Sequence, residues 1–440
     1  MKMDDMIMIS VDDHIIEPPD MFERHAPAAL RDKAPKVVIA KGEQCWSFED
    51  EVLPTRFGLN AVAGRRREEY GMEPTAYAQL RRGCYDIHAR VGDMNANGTL
   101  GSLCFPTFTK VAGEVWLEAK DKNLARIMIE AYNDWHYHDW CNTYPGRFIP
   151  LATVPAWDAQ LCANEVRRVA RMGFKAITFS QNPSALGLPS FHSGAWDPMW
   201  KACCDENIVV AIHFGAGGGM RFQSSDSPID TGITTMALGM ADCVTDLVYS
   251  PILRSFPTLK IALSEAGVGW LPFLMERADF VYEHHHQWTN QDFGGLKPSD
   301  LIRRHMLSCF IADQYGLANR HTLGVEMITW ECDYPHSDST WPESPEAMWP
   351  TFQTLPDDEL DQITHLNAMK FFNYDPFKVL DRKDCTVGAL RAKARADGVD
   401  LTPMQGRGGR DAASQGPRRP VTAEDVRKQL NPGVVTAGAR

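Results

Sequence analysis

Short apolar runs rich in β-branched residues recur along the chain at 6–10, 100–105, 148–154, 176–180, 209–214, 260–264, 307–312 and 327–330. Each is about the length of a buried strand, and helix-period stretches separate most of them, for example 116–140, 159–172, 198–206 and 269–288. Strand and helix in alternation build a parallel sheet, and eight such strands predict a (β/α)8 barrel of the α/β class. Two segments do not fit the repeat. One is an excursion from about 18 to 97, after the first strand, which is expected to form a lid or substrate wall over the C-terminal mouth of the barrel. The other is a C-terminal extension from 381 to 440, so that the barrel proper spans 1–380.

Composition fits a folded protein with a large core, since 44% of the 440 residues are hydrophobic and 23% are charged. The formal net charge of −12 argues against nucleic acid as a partner. That charge is unevenly placed: from Asp381 onward twelve Lys/Arg face seven Asp/Glu, a local +5 that leaves −17 on the preceding 380 residues. The extension is rich in Gly, Arg, Ala and Pro, includes the run 406–410, and offers one capped helix at 422–430 ended by Asn431-Pro432-Gly433. It is expected to be disordered or to wrap a partner subunit, and with the acidic body it suggests a homo- or hetero-oligomer. Eleven cysteines without a CxxC pair read as reduced thiols, the N-terminal residues do not resemble a signal peptide, and no apolar stretch is long enough to span a membrane. A cytoplasmic protein is expected.

In a barrel, chemistry gathers just beyond the strand ends. Those positions are strongly polar here: Asp12, Asp13, His14 and Glu17 after the first strand, Gln181 and Asn182 after the fourth, His213 after the fifth, Glu265 after the sixth, and Asp333 and His336 after the eighth. Asp12 and His14 are two apart on a strand and face the same side, with Asp13 turned away. A divalent metal needs convergent N and O ligands from separate elements, and so many carboxylates are costly to bury without a cation. A metal site built from Asp12, His14, His213 and Asp333 follows, with His336 as an acid/base candidate and Gln181 and His192 as substrate-binding candidates. The tract His284-His285-His286 is assigned to a helix end.

The blocks around Asp12-Asp13-His14-Ile15-Ile16-Glu17-Pro18, together with 178–193, 211–215, 263–270 and 332–342, resemble the amidohydrolase-related family, the branch that includes aminocarboxymuconate-semialdehyde decarboxylase. The resemblance covers about residues 5–375. It implies that the first-strand motif, His213 and Asp333 ligate metal, and that Asp333 moves a proton. The chain departs from the pattern twice, with Asp12 where the family usually carries a histidine and Glu265 where the decarboxylases carry a catalytic histidine. Carboxylates in place of imidazoles favour Fe or Mn over Zn, and with Glu17 and Glu265 added the ligand set suffices for one or two divalent ions.

The function expected is metal-dependent hydrolysis or nonoxidative decarboxylation of a small carboxylate-bearing molecule, with Asp333, Glu265 and His336 as catalytic residues. An O2-dependent non-haem hydroxylase with a mono- or dinuclear Fe/Mn centre is the alternative, and a non-catalytic partner subunit of such an enzyme is a third reading.

Overall fold

The computed structural model describes residues 1–40, 42–53, 58–71, 74–404 and 419–430. Its centre is a barrel of eight parallel strands: β1 (Met8–Ile15), β2 (Thr99–Pro106), β3 (Phe148–Ile149 and Leu151–Ala152, interrupted at Pro150), β4 (Ala176–Phe179), β5 (Val209–His213), β6 (Ile261–Ser264), β7 (Met306–Phe310) and β8 (Ile328–Trp330). Each strand pairs with its predecessor in sequence, and all eight expected runs are found. The ring closes between β8 and β1 through the chain just beyond β8. Cys332 N donates to Ser10 Oγ (2.8 Å), Asp333 N to the Asp12 carbonyl (2.8 Å) and His14 N to the Tyr334 carbonyl (2.7 Å).

Alternation along the strands sorts the core into two layers. Ile9, Val11, Leu103, Phe105, Ile149, Leu151, Val209, Ala211, Ala262 and Leu307 pack together inside the barrel. Met8, Ile177, Val210, Ile212, Ile261 and Leu263 pack outward against the helices. The helices start and stop where the local chemistry directs. Ala159–Met172 begins at Asp158, whose carboxylate accepts from Gln160 N and Leu161 N, and ends at Gly173 with φ 115°. The long helix expected over 116–140 is broken, because Asp121 accepts from Asn123 N and Leu124 N and starts a new helix at Lys122.

The excursion after β1 is shorter than its sequence suggested. Its last part, Ile87–Asn97, is the ordinary helix joining β1 to β2, capped by Asp86 on Ala89 N (2.9 Å). The true insertion carries a three-stranded antiparallel sheet, Lys36–Ala40, Glu43–Phe48 and Glu51–Val52, which the sequence reading did not foresee. An aromatic cluster anchors it to the barrel: Trp46 lies 4.5 Å from Phe108 between ring centroids, Phe48 5.6 Å from Trp116, and Phe22 packs edge-on to Trp46, Phe108 and Trp116.

The C-terminal extension also needs correction, since its first part belongs to the barrel. Val387 N donates to the Met6 carbonyl (2.8 Å), and Val387, Leu390 and Ala394 of the helix Val387–Ala396 are buried. Gly98, at φ 83°, makes room for it: a Cβ there would stand 2.9 Å from Val387 Cγ1. The helix Ala423–Leu430 forms as expected and folds back onto this chain's own 225–235 segment. The runs 406–410 and 431–433 lie outside the described residues. Among the described residues no helix is long and apolar enough to cross a membrane, and no two cysteines are joined in a disulfide.

If residues 387–396 complete the barrel, Leu390→Ala lowers unfolding stability by roughly 2–5 kcal/mol, the usual cost of truncating a buried leucine. Leu401→Ala, at a side chain 44% exposed, changes it by less than about 0.5 kcal/mol. Urea midpoints of the two variants check this.

Candidate metal centre

Strict alternation from Ile9 and Val11 sends Asp13 into the barrel and Asp12 and His14 outward. The opposite is found, because the β1–β2 ladder shifts register between Ser10 and Asp13: Ser10 pairs with Ser102 but Asp13 with Cys104, three steps against two. The extra residue turns Asp12 and His14 inward. Asp13 faces the outer layer, where its carboxylate accepts from Ser102 Oγ and from Tyr334 N (3.0 Å).

Five of the six predicted ligands converge. His14 Nε2 lies 3.7 Å from Asp12 Oδ1 and 3.3 Å from Asp333 Oδ1, and His213 Nε2 lies 3.5 Å from Asp12 Oδ2 and 3.6 Å from Glu265 Oε2. The two imidazoles face one another at 3.1 Å between Nε2 atoms. His213 Nδ1 donates to the Phe214 carbonyl (2.5 Å), which leaves a lone pair on its Nε2 directed at the cluster. His336 joins from beyond β8, with Nδ1 2.9 Å from Asp333 Oδ1. Asp12 and Asp333 are fully buried; among the described residues no group donates to the Asp12 oxygens, while Asp333 meets the imidazoles of His14 and His336. Buried carboxylate oxygens beside inward-facing imidazole nitrogens form a donor set suited to a divalent cation.

The electrostatics agree. Burial raises the Asp12 carboxyl well above its ordinary range, and the nearby Glu331, Asp333 and Glu265 add to it. Glu265 is raised for the same reasons, burial first and then Asp333 and Glu331. Burial pushes His213 down to about 4. At Asp333 burial opposes ionisation, but His336 and His14 outweigh it and hold the carboxyl below its usual range. Asp333 and Glu265 also have left-handed backbone, at φ 57° and 54°, so both strand ends carry local strain at the point where their side chains turn into the site.

Two side chains escaped the sequence reading. Glu331, the last inward residue before Asp333, accepts from the Cys309 thiol and from Glu265 N (3.1 Å), and burial pushes it up to about 8. With Asp12 and Cys309 it forms a second group of potential donors. Inward alternation from Thr329 was the signal: Glu331 and Asp333 share a face.

Three predicted residues are placed elsewhere. Glu17 is no ligand in this structure, because its carboxylate accepts from Thr107 N (3.0 Å), Phe108 N (2.8 Å) and the Tyr132 hydroxyl (3.3 Å), tying the end of β1 to the loop after β2. Gln181 accepts from Gly215 N (3.3 Å) and braces the loop after β5. His192 sits on the surface against Asp246 (2.7 Å).

The cluster forms the floor of a cleft of about 1540 Å³. His14, His213, Glu265, Asp333 and His336 line it from the barrel, Arg66, Arg67 and Tyr70 from the insertion, and Val421 and Val426 from the C-terminal segment.

Residues 51–374 match the sequence family described as amidohydrolase, a span that begins after the Asp12–His14 strand. Among solved structures, an amidohydrolase from Mycobacterium avium subsp. paratuberculosis K-10 is similar at TM-score 0.65 and 18% identity, over 83% of this chain and 99% of that one. The 5-carboxyvanillate decarboxylase of Sphingomonas paucimobilis is similar at TM-score 0.58 and 17% identity, over 84% and 100%. The dihydroxybenzoic acid decarboxylase of Polaromonas sp. JS666, solved with manganese and 2-nitroresorcinol, is similar at TM-score 0.54 and 16% identity, over 83% and 96%.

Elemental analysis of protein purified without chelators tests the assignments: His213→Ala and Asp333→Ala lose the metal, whereas Glu17→Gln keeps it. Glu17→Gln instead costs roughly 1–3 kcal/mol of stability, since an amide cannot satisfy the same donors. Burial raises Glu17 from 4.5 to about 7 against its hydrogen bonds. The folded state therefore holds this proton more tightly than the unfolded chain, and its contribution is full below pH 4.5 and lost as pH rises through 7. The wild-type advantage over Glu17→Gln, measured by denaturation, shrinks across that window.

Proposed function

The chain belongs to the amidohydrolase family, and on that footing we propose that it is a divalent-metal enzyme that removes a carboxyl group, without oxidation, from a small carboxylate-bearing molecule. The observation that carries the reading is the pair of donor-free Asp12 oxygens facing His14 and His213, beside an Asp333–His336 pair on the floor of the same cleft. The likeness to two aromatic-acid decarboxylases supports it, one of them solved with manganese.

Asp12, His14, His213 and Asp333 are the residues that would hold the ion. Bound there, a divalent cation supplies positive charge that offsets the carboxylate cluster and polarises a substrate oxygen. Arg66 and Arg67 bring positive charge to the rim of a mouth otherwise dominated by carboxylates. The Asp333–His336 pair, with Nδ1 2.9 Å from Oδ1, is placed to carry a proton at the cleft floor. In decarboxylation that proton goes to the carbon bearing the carboxylate: a C–H bond forms, the C–C bond breaks, its electron pair stays with the substrate carbon skeleton, and CO2 leaves. Hydrolysis uses the same groups, with the pair taking a proton from water.

One observation favours a second reading. Glu331 adds a carboxylate close to Asp12, and Glu265 gives the site another. Such a hard, acidic ligand set suits iron or manganese in an O2-dependent hydroxylase, supplied with an external reductant.

Stripping metal with a chelator is expected to abolish turnover, with Mn²⁺ restoring it better than Zn²⁺. CO2 release without O2 uptake supports decarboxylation; O2 uptake coupled to reductant consumption overturns it in favour of the hydroxylase. His336→Gln lowers kcat by two to four orders of magnitude, the usual worth of a general acid/base, while metal content is unchanged.

A further inference from the structure

The cleft is larger than its chemistry requires. Ligand sites for small molecules usually occupy about 300–1,000 Å³, and this one measures about 1540 Å³. A single-ring acid seated on the metal cluster leaves most of it to water.

The surplus volume has an apolar wall. Met220, Ile229, Ile233 and Met236, from the segment after β5, line it together with Val421 and Val426. Ile233 remains 39% exposed. The wall is a built feature and not a loose end of chain. Ile229 N donates to the Val421 carbonyl (2.8 Å), Ala423 N to the Ser227 carbonyl (2.9 Å) and Glu424 N to the Ser225 carbonyl (2.9 Å). Thr422 and Asp425 cap the helix reciprocally, with Thr422 N on Asp425 Oδ2 at 2.9 Å, and Arg419 grips the Asp425 carboxylate at 2.6 and 2.8 Å. Backbone bonds and a capping box thus hold two valines over the same cavity that has His14 and Asp333 at its floor.

Apolar side chains turned into a wet cleft are stabilised when something apolar covers them. We propose that this wall, completed by Val421 and Val426, is a substrate subsite, and that the substrate carries its carboxylate on an apolar body longer than one ring, such as an alkyl or fused-ring extension. The inference rests on the proposed function only for the carboxylate end; the apolar subsite stands on its own geometry.

The test titrates the metal-loaded, full-length protein with 4-n-alkylbenzoates from benzoate to 4-n-octylbenzoate by calorimetry, and with the matching 4-n-alkylphenols. At about 0.8 kcal/mol per buried methylene, each added CH2 tightens binding by up to roughly fourfold. In the double variant Val421→Asn/Val426→Asn, polar but uncharged, the gain per methylene collapses, while the Kd of benzoate and the metal content are unchanged. Should the double variant lose metal or fail to fold, Val421→Phe, which keeps the wall apolar, serves instead and shortens the longest chain that still gains affinity. A flat series in the wild type overturns the subsite, as does an unaltered slope in the double variant or an unaltered length limit in Val421→Phe. If phenols show the slope and benzoates bind no tighter than phenols, the carboxylate reading fails and the subsite holds.

Discussion

The candidate site depends on the seam where the barrel closes. Asp12 and Tyr334 offer their carbonyls, and Asp333 and His14 their amides, so that the residues bound across the seam by backbone include three of the proposed ligands. A closed ring leaves no freedom in how its first and last strands meet. The same hydrogen bonds that remove the sheet's edges therefore set the spacing of Asp12, His14 and Asp333. His213, which comes from the opposite side of the ring, needs only the right direction, and the Phe214 carbonyl supplies it.

Much of this was legible in the sequence because the signals were local. Eight apolar runs, each bounded by polar residues, gave the barrel, and strand-end polarity gave Asp12, His14, His213, Glu265, Asp333 and His336. What stayed hidden was set by partners distant in the chain. Glu17 reads as a ligand until the loop after β2 places two backbone amides against it. Gln181 and His192 are similarly claimed by Gly215 and Asp246. Glu331 was passed over because it stands beside the more conspicuous Asp333. The inward turn of Asp12 and His14 agrees with simple alternation between those two residues, yet it conflicts with the alternation of Ile9 and Val11 before them. Only the register shift reconciles both.

Electrostatics ties the site to its fold. Four acidic side chains, Asp12, Glu265, Glu331 and Asp333, share a buried volume, and the structure offers them few compensating donors: a thiol and one amide for Glu331, and the imidazoles of His14 and His336 for Asp333. A site of this composition is unfavourable as bare protein and favourable with a cation. Metal binding and folding are then linked, with the seam as the place where the coupling is felt.

The insertion carries a different implication. Trp46, Phe48 and Phe22 grip Phe108 and Trp116 outside the cluster that fills the barrel interior. The stretch at 58–71, with Arg66, Arg67 and Tyr70 at the cleft, is tied instead to the loop after β8: Val62 N and Ala63 N both donate to the Pro335 carbonyl, and Asn60 Nδ2 donates to Ser337 Oγ at 3.0 Å. That loop carries Asp333 and His336, so a change in this wall of the cleft is felt at the cluster below it. Recognition and chemistry share backbone here, and the two must evolve together.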